Sequence, residues 1–296
     1  MDFLTDFPSL GRVTLLTFKK TIDGAFREFN RAYGEYIEAF FDPLLWCLKW
    51  IDWIFVHMPW PLFFILAAGL AWLGSRSIAI VIGTIVSFAL MGMFGMWKET
   101  METVAIVSVS TALCIGLGIP LGIWMARSDR VQGIVTPVLD IMQTVPSFVY
   151  LIPIIMLLGI GKVPALIAVF IYAVPPVVRL TNLGIRLVDS EVLEAADSFG
   201  ASYKQRLWGV QVPLALPNIF AGINQTIMMA LAMVVIAAMI GAPGLGRIVL
   251  KAVQNQYLAS GMMAGLAIVA LAIIFDRVSQ AYGKRLQKHR EGGHGV

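Results

Sequence analysis

The residues best placed to do chemistry are polar side chains set among apolar ones. Asp140, Gln143 and Thr144 stand within about a turn of each other just ahead of Pro146. Asn224, Gln225 and Thr226 interrupt a stretch, 207–246, that has no Asp, Glu, Lys or Arg. A polar loop, 189–212, carries Glu194-Ala195-Ala196 and Gly200, and ends on Val210-Gln211-Val212 before Pro213. A carboxylate at bilayer depth is expensive, so Asp140 either faces a water path or partner or stays wet near one interface, about two turns past Gln132. The amides and hydroxyls of 224–226 either join helices or touch a solute. Met228, Met229, Met233 and Met239 suit adaptable packing at a gate, or plain core. Bond-making chemistry finds no support: His57, His289 and His294 are scattered, and Cys47 and Cys114 lie far apart in apolar surroundings. Neither a nucleophile–base pairing nor metal-ligand spacing is visible, which argues against a membrane enzyme. The glycine-rich run 241–246 lacks the Lys-Ser/Thr ending of a phosphate-binding loop and reads as a tight turn into a short external segment, 246–257.

The elements that hold these residues must be membrane helices. Of 296 residues, 58% are apolar and only 14% charged, and mean hydropathy is +0.81; soluble domains carry about 25% charged residues. Charge-free runs cover 53–75, 77–97, 103–126, 207–246 and 252–275, each long enough for a bilayer crossing of about 20 residues. Two further candidates lie between Arg130 and Arg179. Seven crossings are expected near 60–75, 77–96, 102–126, 133–158, 163–180, 213–241 and 259–280. Pro137, Pro146 and Pro153 should make the fourth irregular, as Pro175-Pro176 should the fifth. Alternation puts Arg76, the 126–132 loop, the 179–212 loop and the C-terminal end from Arg277 onward on one side with twelve Lys/Arg, against Lys98, Lys162, Arg247 and Lys251 on the other. That bias makes the first side cytoplasmic and the N-terminus external. The net charge of +4 therefore sets orientation and gives no sign of nucleic-acid binding. The first residues are acidic and lack an apolar core, so no cleavable signal peptide is expected.

Residues 1–58 form a segment of their own. Ile22, Phe26, Phe29, Tyr33, Ile37, Phe40 and Leu44 recur at steps of three or four, an amphipathic helix pattern bent near Pro43. Trp46, Trp50, Trp53 and Trp60 suit the headgroup level. The helix lies along the membrane surface or packs on the flank of the membrane domain, 59–283; residues 284–296 form a tail.

The 189–212 loop is patterned as helix, sharp turn, helix. Asp189 or Ser190 can cap the first helix. Val192, Leu193, Ala196 and Phe199 share a face, Gly200 suits a left-handed ending, and Ser202 to Gln205 has capping-box spacing. Ala195 and Ala196 allow a close approach and Glu194 offers a negative contact.

Glu194-Ala195-Ala196, Gly200 and Pro213 resemble the EAA motif of permease subunits of binding-protein-dependent ABC importers, with Val210 and Val212 where Ile and Leu are usual. Gln143-Thr144-Val145-Pro146-Ser147-Phe148, Gly159-Ile160-Gly161-Lys162-Val163-Pro164, Ser198-Phe199-Gly200-Ala201-Ser202, Pro213-Leu214-Ala215-Leu216-Pro217 and Ala221-Gly222-Ile223-Asn224-Gln225-Thr226 are similar to its glycine betaine/proline/choline branch. The resemblance spans 76–283 and implies an all-α permease in a bacterial cytoplasmic membrane. It implies a pair of permease chains and an external substrate-binding protein. It further implies two ATPase subunits carrying ATP and magnesium, docked through Glu194, Ala195, Ala196, Phe199, Gly200 and Pro213. The implied cargo is glycine betaine, choline, proline betaine or a relative. The competing class, an ion-coupled carrier or channel, needs intramembrane charges and repeated halves; Asp140 is the clear candidate charge and no repeat is visible.

Overall fold

The computed structural model describes residues 11–291, with side chains to Gly283. Among these the chain is helical throughout, without strands. A long α1, Arg12–His57, leads into α2, Trp60–Ser75, and α3, Ile78–Met93; then come α4, Trp97–Arg127, α5, Asp129–Thr144, and α6, Ser147–Leu158. After α7, Lys162–Arg186, the short helices α8, Ser190–Ser198, and α9, Tyr203–Gln205, precede a π-helical turn, Arg206–Gln211. The chain continues through α10, Val212–Ala237, α11, Leu245–Asn255, and α12, Leu258–Glu291.

Among the described residues, four helical stretches are long and apolar enough to cross a bilayer: Trp97–Arg127, Lys162–Arg186, Tyr203–Ile240 and Leu258–Gly283. The expected crossing at 133–158 is two helices meeting at 99°. Pro146 has no N–H to continue the α5 ladder, and Val145 is extended. The expected crossing at 163–180 extends to Arg186, which supplies the length it lacked and moves Arg179 from the loop into the helix. α2 and α3 have 16 residues each, about 24 Å, and α2 turns 108° away from α1.

The core is a three-helix stack of α4, α7 and α10. Its close approach rests on missing side chains: a Cβ on Gly118 would stand 2.5 Å from Val177 Cγ1, and one on Gly122 2.7 Å from the Val178 carbonyl oxygen. Without a hydrophobic drive between helices in lipid, such contacts hold the bundle. Leu166, Val169, Val177, Leu231 and Met233 fill the centre.

α1 settles in two ways along its length. Leu48 is buried, and Leu44, Ile51, Phe55 and Val56 pack on the core. Asp52 pairs with Lys162 at the start of α7 at 2.5 Å, and Asn30 donates to the Met156 carbonyl. Phe18, Ile22, Phe29, Tyr33 and Phe40 remain exposed. The C-terminal half thus packs on the flank, while the earlier half keeps an open aromatic face. The helix also runs unbroken through Pro43.

Candidate functional site

The helix–turn–helix after α7 is built from local backbone chemistry. Asp189 accepts from the Glu191 N–H and caps α8. Gly200 ends it at φ 76°, with the Ala201 N–H reaching back to the Ala196 carbonyl. Ser202 and Gln205 form a reciprocal capping box on α9. Leu193 and Ala196 are half-buried, while Val192, Glu194 and Ala195 are exposed and Phe199 is 93% exposed. No residue of α8 is buried. Pro213 does not open a fresh helix: it follows the π turn inside the continuous stretch Tyr203–Ile240.

The sequence reading missed the side chains that tie this element to the bundle. Asp197 of α8 pairs with Arg206 at 2.6 Å. The Tyr203 ring is met by Arg206, 5.7 Å from its centroid, and by Arg127 of α4, 4.6 Å away. Arg186 reaches Asp129 at 2.7 Å, the Met125 carbonyl and Asn182. The short helices are therefore braced against the end of α4, which Arg186 in turn ties to α5 and α7. Two arginines gathered on one tyrosine is a signal only once Arg127 is known to be a neighbour.

The polar residues at membrane depth separate into two groups. Asp140 Oδ1 accepts from Arg179 Nη2 at 2.5 Å, and the Thr144 hydroxyl bonds the Asp140 carbonyl. Asp140, Gln143, Thr144 and Pro146 are all exposed on the isolated chain. Asn224 instead bonds Asp276 and Ser279 of α12, which makes it helix–helix glue. Gln225 is exposed, and Thr226 is fully buried with its hydroxyl unpartnered. Asp140 is thus not alone as a charge within the helices: Asp276 sits in α12, and Glu102, 7% exposed, near the start of α4. Both flank the charge-free runs 103–126 and 252–275 in the sequence.

On the opposite end of the bundle, Gly241 and Gly244 take left-handed conformations at φ 96° and 105°. The Leu245 N–H donates to the buried Thr103 hydroxyl, which fixes α11 to α4.

Residues 118–288, which contain this helix–turn–helix and most of the bundle, match the family described as binding-protein-dependent transport system inner membrane component. The chain belongs to that family. The permease is 46% identical over 242 residues to the glycine betaine/proline betaine transport system permease protein ProW of Escherichia coli, covering 82% of this chain and 68% of that one. It is 44% identical to the glycine betaine/carnitine transport permease protein GbuB of Listeria monocytogenes, covering 89% and 90%. It is 48% identical to the glycine betaine transport system permease protein OpuAB of Bacillus subtilis, covering 73% and 76%. Its fold is similar to a chain of the inward-facing MetNI methionine ABC transporter, with a TM-score of 0.55 at 20% identity over 62% of this chain and 93% of that one. The permease is thus an all-α transmembrane subunit of a binding-protein-dependent ABC importer.

Proposed function

We propose that two copies of the permease form the pathway by which a quaternary ammonium solute (glycine betaine, proline betaine or choline) enters a bacterial cell across the cytoplasmic membrane. Two separate ATPase subunits, carrying ATP and magnesium, dock on α8, and an external binding protein delivers the solute. The names of the relatives support the cargo. The observation that carries the docking is the exposure of Phe199 at the end of a helix without a buried residue. A large apolar side chain held out by a rigid capped turn fits a partner's pocket. Ala195 lets that partner's backbone approach, and Glu194 offers it a charge.

The charge bias puts α8, the C-terminus and the ends of α4 and α7 on the cytoplasmic side, with the N-terminus and α11 outside. ATP-driven closure of the two ATPases then moves both α8 elements, and the brace through Arg206, Tyr203 and Arg127 passes that movement into α4. Asp140, Gln143, Thr144 and Pro146 line the path.

Mild-detergent purification of the tagged permease from its native membrane tests this reading. An ATP-binding subunit is expected to come along, and it should be lost from the Phe199→Ser variant. A permease that purifies alone and moves solute in ATP-free liposomes overturns it.

A further inference from the structure

We infer that Asp140 and Arg179 form a solute-binding subsite within the permease, selective for a zwitterion that carries a carboxylate and a quaternary ammonium; this rests on the importer reading above. Arg179 lies about two turns, roughly 10 Å, inside the end of α7 marked by Arg186. The pair is nevertheless open on the surface of the chain, with 53% of the Asp140 side chain and 38% of the Arg179 side chain exposed. Charges at such depth do not face acyl chains. Gln143 and Thr144, one turn further along α5 and also exposed, extend the polar surface on the same face.

The pair is also incompletely satisfied. A guanidinium can meet a carboxylate through two parallel N–H groups, yet here one Nη2–H reaches Oδ1 and the buried Nε–H has no acceptor. A carboxylate arriving from the exposed side of the pair can therefore be received by Arg179 through N–H groups other than the buried Nε–H. A quaternary ammonium has no N–H to give, so it needs only the negative charge of Asp140 nearby.

Charge balance supplies the selectivity. The empty pair is neutral, and a zwitterion that inserts between its members leaves it neutral. Each side chain exchanges its partner for the opposite end of the solute. A cation without a carboxylate, such as choline, would take Asp140 and strand Arg179 at depth, and an unpaired charge there is strongly disfavoured.

The test uses the permease–ATPase complex in lipid nanodiscs without the binding protein. Cys47 and Cys114 are replaced by Ala, and Gln143→Cys supplies a reporter beside the pair. A small water-soluble thiol reagent is expected to label Cys at 143, and millimolar glycine betaine to slow labelling about threefold or more. Choline at the same concentration should leave the rate unchanged. The double variant D140N/R179Q, which leaves no unpaired charge, should assemble with the ATPase and lose the protection. A reporter that is inert to the reagent, equal protection by choline, or protection that survives in the double variant would each overturn the subsite. Those outcomes leave the importer reading standing, since co-purification of the ATPase is scored separately in the same preparation.

Discussion

Arg127 of α4 donates its Nε–H to the hydroxyl of Tyr203 in α9, while its guanidinium lies 4.6 Å from the ring centroid. One tyrosine thereby receives α4 through both its edge and its face. The contact joins the element proposed to meet the ATPase to a helix distant in sequence that packs in the centre of the bundle.

Loss of that contact should uncouple without dismantling. Tyr203→Phe keeps the face contact and loses the hydroxyl; Tyr203→Ala loses both. A hydrogen bond to a charged group contributes about 1.5–3 kcal/mol, and a cation–π contact at an exposed site about 0.5–1. In proteoliposomes Tyr203→Ala is expected to lower solute-stimulated ATP hydrolysis by about tenfold or more, and Tyr203→Phe by less. The amount of ATPase bound should stay the same. Equal stimulation in Tyr203→Ala and the parent would remove Tyr203 from the route.

Glu194→Lys reverses a charge on an exposed helix face without disturbing any buried group. Uptake should fall at least about tenfold, since reversing a charge against a complementary partner costs more than about 1.4 kcal/mol. The quantity of permease in the membrane should be unchanged. Undiminished ATP-driven uptake would show that Glu194 does not face the partner.

Gly122→Leu should be among the most damaging substitutions away from the charged groups. A Cβ there would stand 2.6 Å from Thr181 Cβ and 2.7 Å from the Val178 carbonyl oxygen, so α4 and α7 must part. Overpacking of this kind costs about 1–3 kcal/mol or more. The detergent-solubilised protein should unfold at a temperature several degrees below that of the parent, as followed by circular dichroism.

The pair Asp52–Lys162 fastens α1 to the start of α7 and is partly shielded from water. Asp52→Ala should destabilise the α1 attachment by about 1.5–3 kcal/mol, the scale for hydrogen bonds to charged groups. Limited proteolysis should then cut within residues 44–58 faster than in the parent. The exchanged pair D52K/K162D should restore protection if the charge contact is the fastening.

What was legible in the sequence was whatever short-range backbone chemistry controls. Asp189, Gly200 and the Ser202–Gln205 box specify their caps and turn within a few residues, and the structure has the helix–turn–helix they imply. Pro146 announced an interruption, but the 99° between α5 and α6 depends on how each helix packs. Tertiary partners left no local trace. Arg179 read as a loop charge because apolar counting stopped at it, yet its pairing with Asp140 lets α7 run on to Arg186. Asp276 read as the edge of a span until Asn224, Ser279 and Gln280 gathered around it. α1 carried signals for the interface and for the flank, and its two halves answer to them separately.

The π turn at Arg206–Gln211 holds one residue more than a regular helix would need there. Its hydrogen bonds close over one residue more than those of an α-helix, and Pro213 cannot supply the N–H that would close them normally. That surplus residue sits between the arm formed by α8 and α9 and the long strut of α10. Passing it into regular helix would turn the arm by about 100° and advance it by about 1.5 Å relative to the strut, with every other turn left wound. A regular turn there would leave the Gly209 carbonyl facing Pro213, which has no N–H to give it, so the wide turn fixes where the arm meets the strut.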